Sequence, residues 1–189
     1  MIEQESVWEL LKRTAKPIVL YGMGNGADKI LDWCEANEVP VQGVFASDEF
    51  VRGQQFRGLT VERYAAIKAR LGEELLVVIA FASERPEVLA RFRELASEQE
   101  VVAPHLPLFA EEELVSSEWL AKHEQELELV YERLADDASR KVFANTLNYK
   151  LSGKISYLFE CASERQEDLR QLIRPDAQEI YLDLGAYNG

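Results

Sequence analysis

Two short apolar runs in this chain are each followed directly by a loop rich in glycine. The first run, Ile18-Val19-Leu20-Tyr21, precedes Gly22-Met23-Gly24-Asn25-Gly26-Ala27. The second lies in the last nine residues, Tyr181-Leu182-Asp183-Leu184-Gly185-Ala186-Tyr187-Asn188-Gly189. Nucleotide-type cofactor sites open with a strand, a tight glycine turn and a helix whose N-terminus faces the ligand. These two loops therefore predict α/β structure with a ligand-binding edge.

Strand-like and helix-like segments alternate through the first 110 residues. The predicted strands are 18–21, 41–46, 75–82 and 101–103, and the predicted helices are 5–14, a segment from Ala27 to Cys34, 61–71 and a helix capped by Ser83 with Pro86 in its first turn. Alternation of this kind requires right-handed crossovers and a parallel sheet. We expect a Rossmann-like α/β domain with flanking helices over residues 1–110.

A helical connector is predicted over residues 111–176. Residues 111–137 contain ten acids and two bases, and leucines at 120, 127 and 134 give one apolar seam, which indicates a long helix packed on its own domain. Asp136 or Asp137 is expected to cap the next helix, which Gly153 ends, and residues 155–173 continue in helical pattern. Residues 177–189 are then expected to begin a further domain with its first strand.

Composition excludes several classes of function. The formal net charge is −13 and the pI is about 4.7, which argues against nucleic acid and against anionic membranes as partners. The longest apolar run, residues 75–82, is too short to span a bilayer, and the acidic N-terminus lacks the apolar region of a signal peptide. The two cysteines make neither a disulfide framework nor a metal cluster. We expect a cytoplasmic protein with no metal site and no recognisable catalytic residues in this chain.

The first glycine loop fits the dinucleotide fingerprint. Gly22 would make the tight turn, Gly24 would let the backbone approach a diphosphate, and Ala27 would allow close helix–strand packing. Asp48, slightly late after the second strand, is the candidate for a ribose hydroxyl. Either this loop binds a nucleotide or the fold retains the turn and binds nothing, and we expect the cleft to be empty in the purified protein.

The second glycine loop fits that of an S-adenosylmethionine (SAM) methyltransferase. Its backbone would pass beneath the methionine part of SAM, which excludes bulky side chains at Gly185 and Gly189. Asp183 would position the amino group of the cofactor. The pattern is short, since many turns between a strand and a helix carry two glycines.

Three segments resemble the FkbM family of SAM-dependent methyltransferases. They are Asp183-Leu184-Gly185-Ala186-Tyr187-Asn188-Gly189, Val130-Tyr131-Glu132-Arg133-Leu134-Ala135-Asp136-Asp137-Ala138-Ser139-Arg140 and Phe143-Ala144-Asn145-Thr146-Leu147-Asn148-Tyr149-Lys150-Leu151-Ser152-Gly153. The strand and glycine turn of the Rossmann-like domain over residues 1–110, which we call the front domain, are similar to theirs as well. The resemblance implies SAM as cofactor and a hydroxyl group, often on a sugar, as methyl acceptor.

This resemblance covers the non-catalytic front part and only the first edge of a catalytic domain. We therefore expect an inactive fragment of an O-methyltransferase that is cut at its first SAM motif. Two alternatives from other classes remain open. The front domain could be a binding module for a nucleotide or nucleotide-sugar, or the chain could serve structure and dimerisation, with a homodimer as its state.

Overall fold

A six-stranded sheet forms the centre of the computed structural model, which describes residues 2–107 and 113–163 together with Gln178 and Ile180. The strands are β1 (Ile18–Tyr21), β2 (Val41–Ala46), β3 (Gln55–Phe56), β4 (Leu59–Arg63), β5 (Leu76–Ile79) and β6 (Glu100–Val102). Their order is β3-β4-β2-β1-β5-β6, and every pairing is parallel except that of β3 with β4. The predicted α/β class and parallel sheet are confirmed.

Helices flank this sheet and extend beyond it. They are α1 (Val7–Arg13), α2 (Asn25–Ala36), α3 (Tyr64–Leu71), α4 (Pro86–Glu98), α5 (Ser117–Lys122), α6 (Glu124–Arg133), α7 (Asp137–Ser152) and α8 (Ser156–Cys161). A short 3-10 helix, Asp48–Phe50, follows β2. As predicted, Asp136 caps α7, accepting from the Ser139 N–H at 2.7 Å, and Gly153 ends it in the left-handed conformation.

The two faces of the sheet carry separate hydrophobic layers because side chains alternate along each strand. Ile18 and Leu20 pack with α1 and α2, whereas Val19 and Tyr21 pack with α3 and α4. All four residues of β1 are buried, as are those of β5. From β1 the chain moves outward to β2 and β4 and then crosses to β5 on the other side of β1. In open α/β sheets, ligands bind at such a reversal, beyond the carboxyl ends of the strands.

The segment that follows α7 also packs on the sheet. Leu151 of α7 is fully buried, and Ile155 joins the hydrophobic layer beneath α3 and α4. The N–H of Ala103 donates to the Gly153 carbonyl at 2.7 Å, and Val102 forms an isolated bridge with Lys154. The chain after α7 therefore covers the β6 edge. The predicted domain boundaries at 110 and 176 stay predictions.

Three local predictions were wrong. Residues 61–63 belong to β4 rather than to a helix, because Val61 pairs with Val44 of β2. Arg85, not Ser83, precedes the first residue of α4, and the Ser83 hydroxyl accepts from the Arg85 N–H instead. The acidic helix is interrupted at His123, whose Nδ1 donates to the Trp119 carbonyl at 2.8 Å while its ring stacks on the Trp119 ring.

Candidate functional site

The first glycine loop makes the tight turn that its sequence predicts. Gly22 has a φ of 113°, a conformation that favours glycine, and its N–H donates to the Phe45 carbonyl of β2 at 2.9 Å. Helix α2 begins at Asn25, so Gly24 lies at its N-terminal cap. A Cβ built on Gly24 would meet no heavy atom within 4 Å. The backbone of Gly24 is therefore open to approach by a ligand.

The third glycine of this loop brings helix α2 against the sheet. A Cβ on Gly26 would lie 2.1 Å from the carbonyl oxygen of Ala80, a distance that real side chains do not adopt. Ala27, to which the fingerprint gives the packing role, is fully buried in the core. Both residues face the interior, but the tightest backbone contact is made by Gly26. The sequence signal for this close contact was Gly26, a third glycine that the dinucleotide fingerprint does not require.

A cavity of about 690 Å³ opens at the carboxyl ends of β1 and β2 and beside the loop that follows β5. Pockets that bury a small molecule have volumes in this range. Among the residues predicted for a nucleotide, Gly22 and Asp48 line this cavity together. Gly24 and Ala27 are not among its lining residues. The structure thus joins the turn and the acid at one cavity, whose lining ends at Met23, the residue before the N-terminal cap of α2.

Aromatic rings form the floor of this cavity. Tyr21 and Phe45 stack almost parallel with centroids 4.7 Å apart, and Tyr64 lies 5.2 Å from Phe45. Phe81 meets Tyr21 edge-on at 5.1 Å and remains 39% exposed. Phe50, at the end of the 3-10 helix, is 53% exposed. The cavity therefore combines a rigid aromatic base with two accessible rings.

Sequence reasoning missed this aromatic cluster. Phe81 falls within a run that predicts a buried strand, and Phe50 falls between the predicted strand 41–46 and the predicted helix 61–71, so neither stands out alone. A signal was present, because Tyr21, Phe45 and Phe81 each lie at or just after the end of a strand. Since the carboxyl ends of parallel strands share one edge, these aromatic residues had to converge.

The charged residues of the cavity fall into two groups. Arg85 pairs with Glu87, and Arg91 donates to Glu94 at 2.5 Å while its guanidinium lies 5.1 Å from the Tyr64 ring. Asp48 and Glu49, which line the same cavity, form the second group. Within the described part of the chain, these two carboxylates make no hydrogen bond or ion pair.

Two pKa values near the cavity are shifted for clear reasons. The backbone N–H of Glu87 and the adjacent Arg85 lower the pKa of the Glu87 carboxyl. Burial raises the pKa of the Tyr64 hydroxyl, which also donates to Glu98 at 3.3 Å. Both groups therefore hold their ordinary charge states near neutral pH. Arg85 consequently pairs with an ionised Glu87.

The other candidates carry little chemistry. Asp183, Gly185 and Gly189 of the second glycine loop lie outside the described residues. Cys34 is buried, and burial raises the pKa of its thiol to about 11. Over residues 2–107 and 113–163, no group of three His, Cys, Asp or Glu side chains could hold a metal ion. The same residues include no helix that is long and apolar enough to cross a membrane.

Comparison with known proteins supports the fold. No family model and no curated protein matches this chain. Among solved structures, the methyltransferase FkbM from Methylobacillus flagellatus KT is similar, with a TM-score of 0.53 and 15% sequence identity. The similarity covers 82% of this chain and 44% of that one, so this chain spans less than half of its length. The predicted FkbM-like fold is confirmed, and identity this low shows fold alone.

Proposed function

We propose that this chain belongs to a SAM-dependent O-methyltransferase of FkbM type that acts on a sugar or a sugar-bearing metabolite. The observation that carries the proposal is the fold shared with a methyltransferase over 82% of the chain. The loop from Asp183 to Gly189 adds a motif of the kind that accommodates SAM. SAM would supply an electrophilic methyl group to a hydroxyl of the acceptor.

In this proposal the residues of the second glycine loop have separate roles. Gly185 and Gly189 keep the backbone free of side chains where the methionine part of SAM would lie. Asp183 accepts a hydrogen bond from the amino group of SAM, directly or through water. The adenine and ribose contacts and the acceptor pocket come from residues outside this chain, which is why we expect the chain alone to be inactive.

Calorimetric titration of SAM into the 189-residue chain tests whether this chain supplies only part of the SAM site. One glycine loop supplies one wall of a pocket, whereas ligand pockets bury most of their ligand. We therefore expect no micromolar affinity. Micromolar binding that is lost in Asp183→Asn and kept in Asp48→Asn would show that this chain already contains a complete SAM site, contrary to the proposal.

The methyl-transfer activity itself is tested on the protein encoded by the whole reading frame. That protein should transfer labelled methyl groups from SAM to sugar hydroxyls, and Asp183→Asn should reduce the transfer. A reading frame that ends at Gly189 would remove the proposal.

The front domain has a second candidate function as a ligand-binding module. The observation that favours it is the 690 Å³ cavity at the carboxyl edge, which both Gly22 and Asp48 line. Such a module would hold a substrate or an effector while the catalytic domain performs the transfer.

A further inference from the structure

We propose that the cavity at the carboxyl edge of the front domain binds a nucleoside moiety, a planar base joined to a ribose, without its phosphates. This inference rests on the binding-module function and is independent of methyl transfer. It identifies the ligand class from three features of the cavity: an acid beyond β2, accessible aromatic rings and the pairing of the nearby cations.

The acid beyond β2 is placed to accept ribose hydroxyls. Asp48 begins the 3-10 helix two residues after Ala46, the last residue of β2, and lines the cavity beside Glu49. Neither carboxylate has a side-chain or ion-pair partner in the part of the chain that the structure describes. In dinucleotide-binding α/β sheets, an acid in this region of the chain hydrogen-bonds the 2′-hydroxyl of the ribose. An ionised carboxylate offers the two acceptor oxygens that a vicinal diol needs.

The exposed aromatic rings provide a stacking surface for the base. Phe50 and Phe81 both line the cavity and are the two phenylalanines among the exposed large apolar side chains of the described residues. Phe81 is held edge-on by Tyr21 and by Phe92, whose centroid is 5.5 Å away. Its orientation is therefore set before a ligand arrives. Stacking on such a ring is favourable for every nucleobase.

The cations explain why the ligand carries no phosphate. Arg85 and Arg91 are each paired with a glutamate of α4, so a bound phosphate would have to compete with an existing carboxylate for each of them. The cavity also has three acids, Asp48, Glu49 and Glu87, against these two arginines. A diphosphate would need the N-terminus of α2, and Gly24 there lies outside the cavity lining. The cavity consequently favours an uncharged ligand.

Saturation-transfer NMR and titration of the 189-residue chain with adenosine and uridine provide the test. We expect at least one of them to bind with a dissociation constant of about 0.1–1 mM, since stacking and one charged hydrogen-bond acceptor give modest affinity. The 2′-deoxy form of the binding nucleoside should bind roughly tenfold more weakly. The matching nucleoside diphosphate should bind no more tightly than the nucleoside.

Two substitutions with matched controls locate the site. Asp48→Asn and Phe50→Ala should each weaken nucleoside binding by roughly tenfold. Glu128→Gln and Leu129→Ala change an acid and an exposed apolar residue on α6, and they should leave binding unchanged. Phe50 is preferred to Phe81 because it contributes less to the packed aromatic cluster, and thermal melting should show that both variants remain folded.

Several outcomes would overturn this inference. They are no saturation transfer from either nucleoside, binding that both site variants retain, tighter binding of the diphosphate, or equal binding of methyl glucoside, which has hydroxyls but no base. A SAM signal lost in Asp48→Asn would place SAM in this cavity through its adenosine part and support the inference. Failure here would leave methyl transfer by the longer protein unaffected, so the two proposals are tested separately.

Discussion

The sheet and the helices α5 and α6 differ in how much of their apolar surface they bury. Every residue of β1 and β5 is buried, whereas α5 and α6 contain no buried residue. Leu129, Val130 and Tyr131 of α6 are all exposed, and Leu129 is 49% accessible. Hydrophobic burial is the main favourable contribution to folding, so stability should be concentrated in the sheet. Helix α6 therefore has the amphipathic, acidic sequence that predicts a helix, but its apolar side chains do not contribute to the core.

The homodimer that the sequence leaves open as an alternative is relevant to this contrast in burial. The exposed residues of α6 could be covered in a dimer, but nothing in the described chain tests that state. Helix α7 resembles the sheet more than it resembles α6, because it contains five buried residues, Leu151 among them, whereas α8, like α6, contains none. The difference in burial therefore lies within the predicted connector, between α6 and the second half of α7.

The largest expected effect compares the same substitution in the two regions. Leu20→Ala removes a fully buried side chain from β1 and should lower the free energy of unfolding by about 2–5 kcal/mol. Leu129→Ala, on the exposed face of α6, should change it by less than about 0.5 kcal/mol. Urea unfolding monitored by circular dichroism measures both. Similar losses at the two positions would mean that α6 is buried in solution, as a dimer would require.

An intermediate effect tests the contact between α2 and the sheet. Gly26→Ala places a Cβ against the carbonyl of Ala80, so the helix must shift, and we expect a loss of about 1–3 kcal/mol. Gly24→Ala is the control within the same loop, because its Cβ would meet open space. It should cost less than about 1 kcal/mol. If thermal melting ranks the two variants in the opposite order, the tight contact belongs to another residue of the loop.

The smallest effect concerns the polar link between the N-terminus and α8. Lys154 and Tyr157 both donate to the Glu3 carboxylate, at 2.7 Å and 2.5 Å, and they lower its pKa. The stabilisation by the Glu3 carboxylate is present above the ordinary carboxyl pKa and is lost as the pH falls through the lowered pKa of the folded state. Because the group is near the surface, Lys154→Met should cost less than about 1 kcal/mol. The variant should also flatten the acid side of the stability profile.

The same link predicts a tyrosine that titrates late. Its hydrogen bond to Glu3, followed by burial, raises the pKa of Tyr157 to about 12. The stabilisation is present below the unfolded pKa of about 10 and is lost as the pH rises through about 12. Ultraviolet titration should lose its latest tyrosine step in Tyr157→Phe, and the exposed Tyr131→Phe should retain it. Retention in both variants would contradict the link.

Features encoded by short, local patterns could be predicted from the sequence. The apolar runs specified β1 and β2, and the capping residues Asp136 and Gly153 specified the ends of α7. These predictions hold because strand burial and helix capping depend on residues that are close together in the chain. The glycine turn and Asp48 of the candidate site also followed from spacing alone. The roles proposed for the second glycine loop stay predictions.

Only the tertiary structure decided how distant segments combine. Val61 became part of a strand because β2 offered it a pairing edge, and Gly26 acquired its role because Ala80 lies across from it. The cavity depends on the strand order, which brings Phe50 and Phe81 to one edge of the sheet together with Asp48. The alternation of side chains along a strand determines which face of the sheet each side chain lies on. Its neighbours on that face are determined by the pairing of strands that are far apart in sequence.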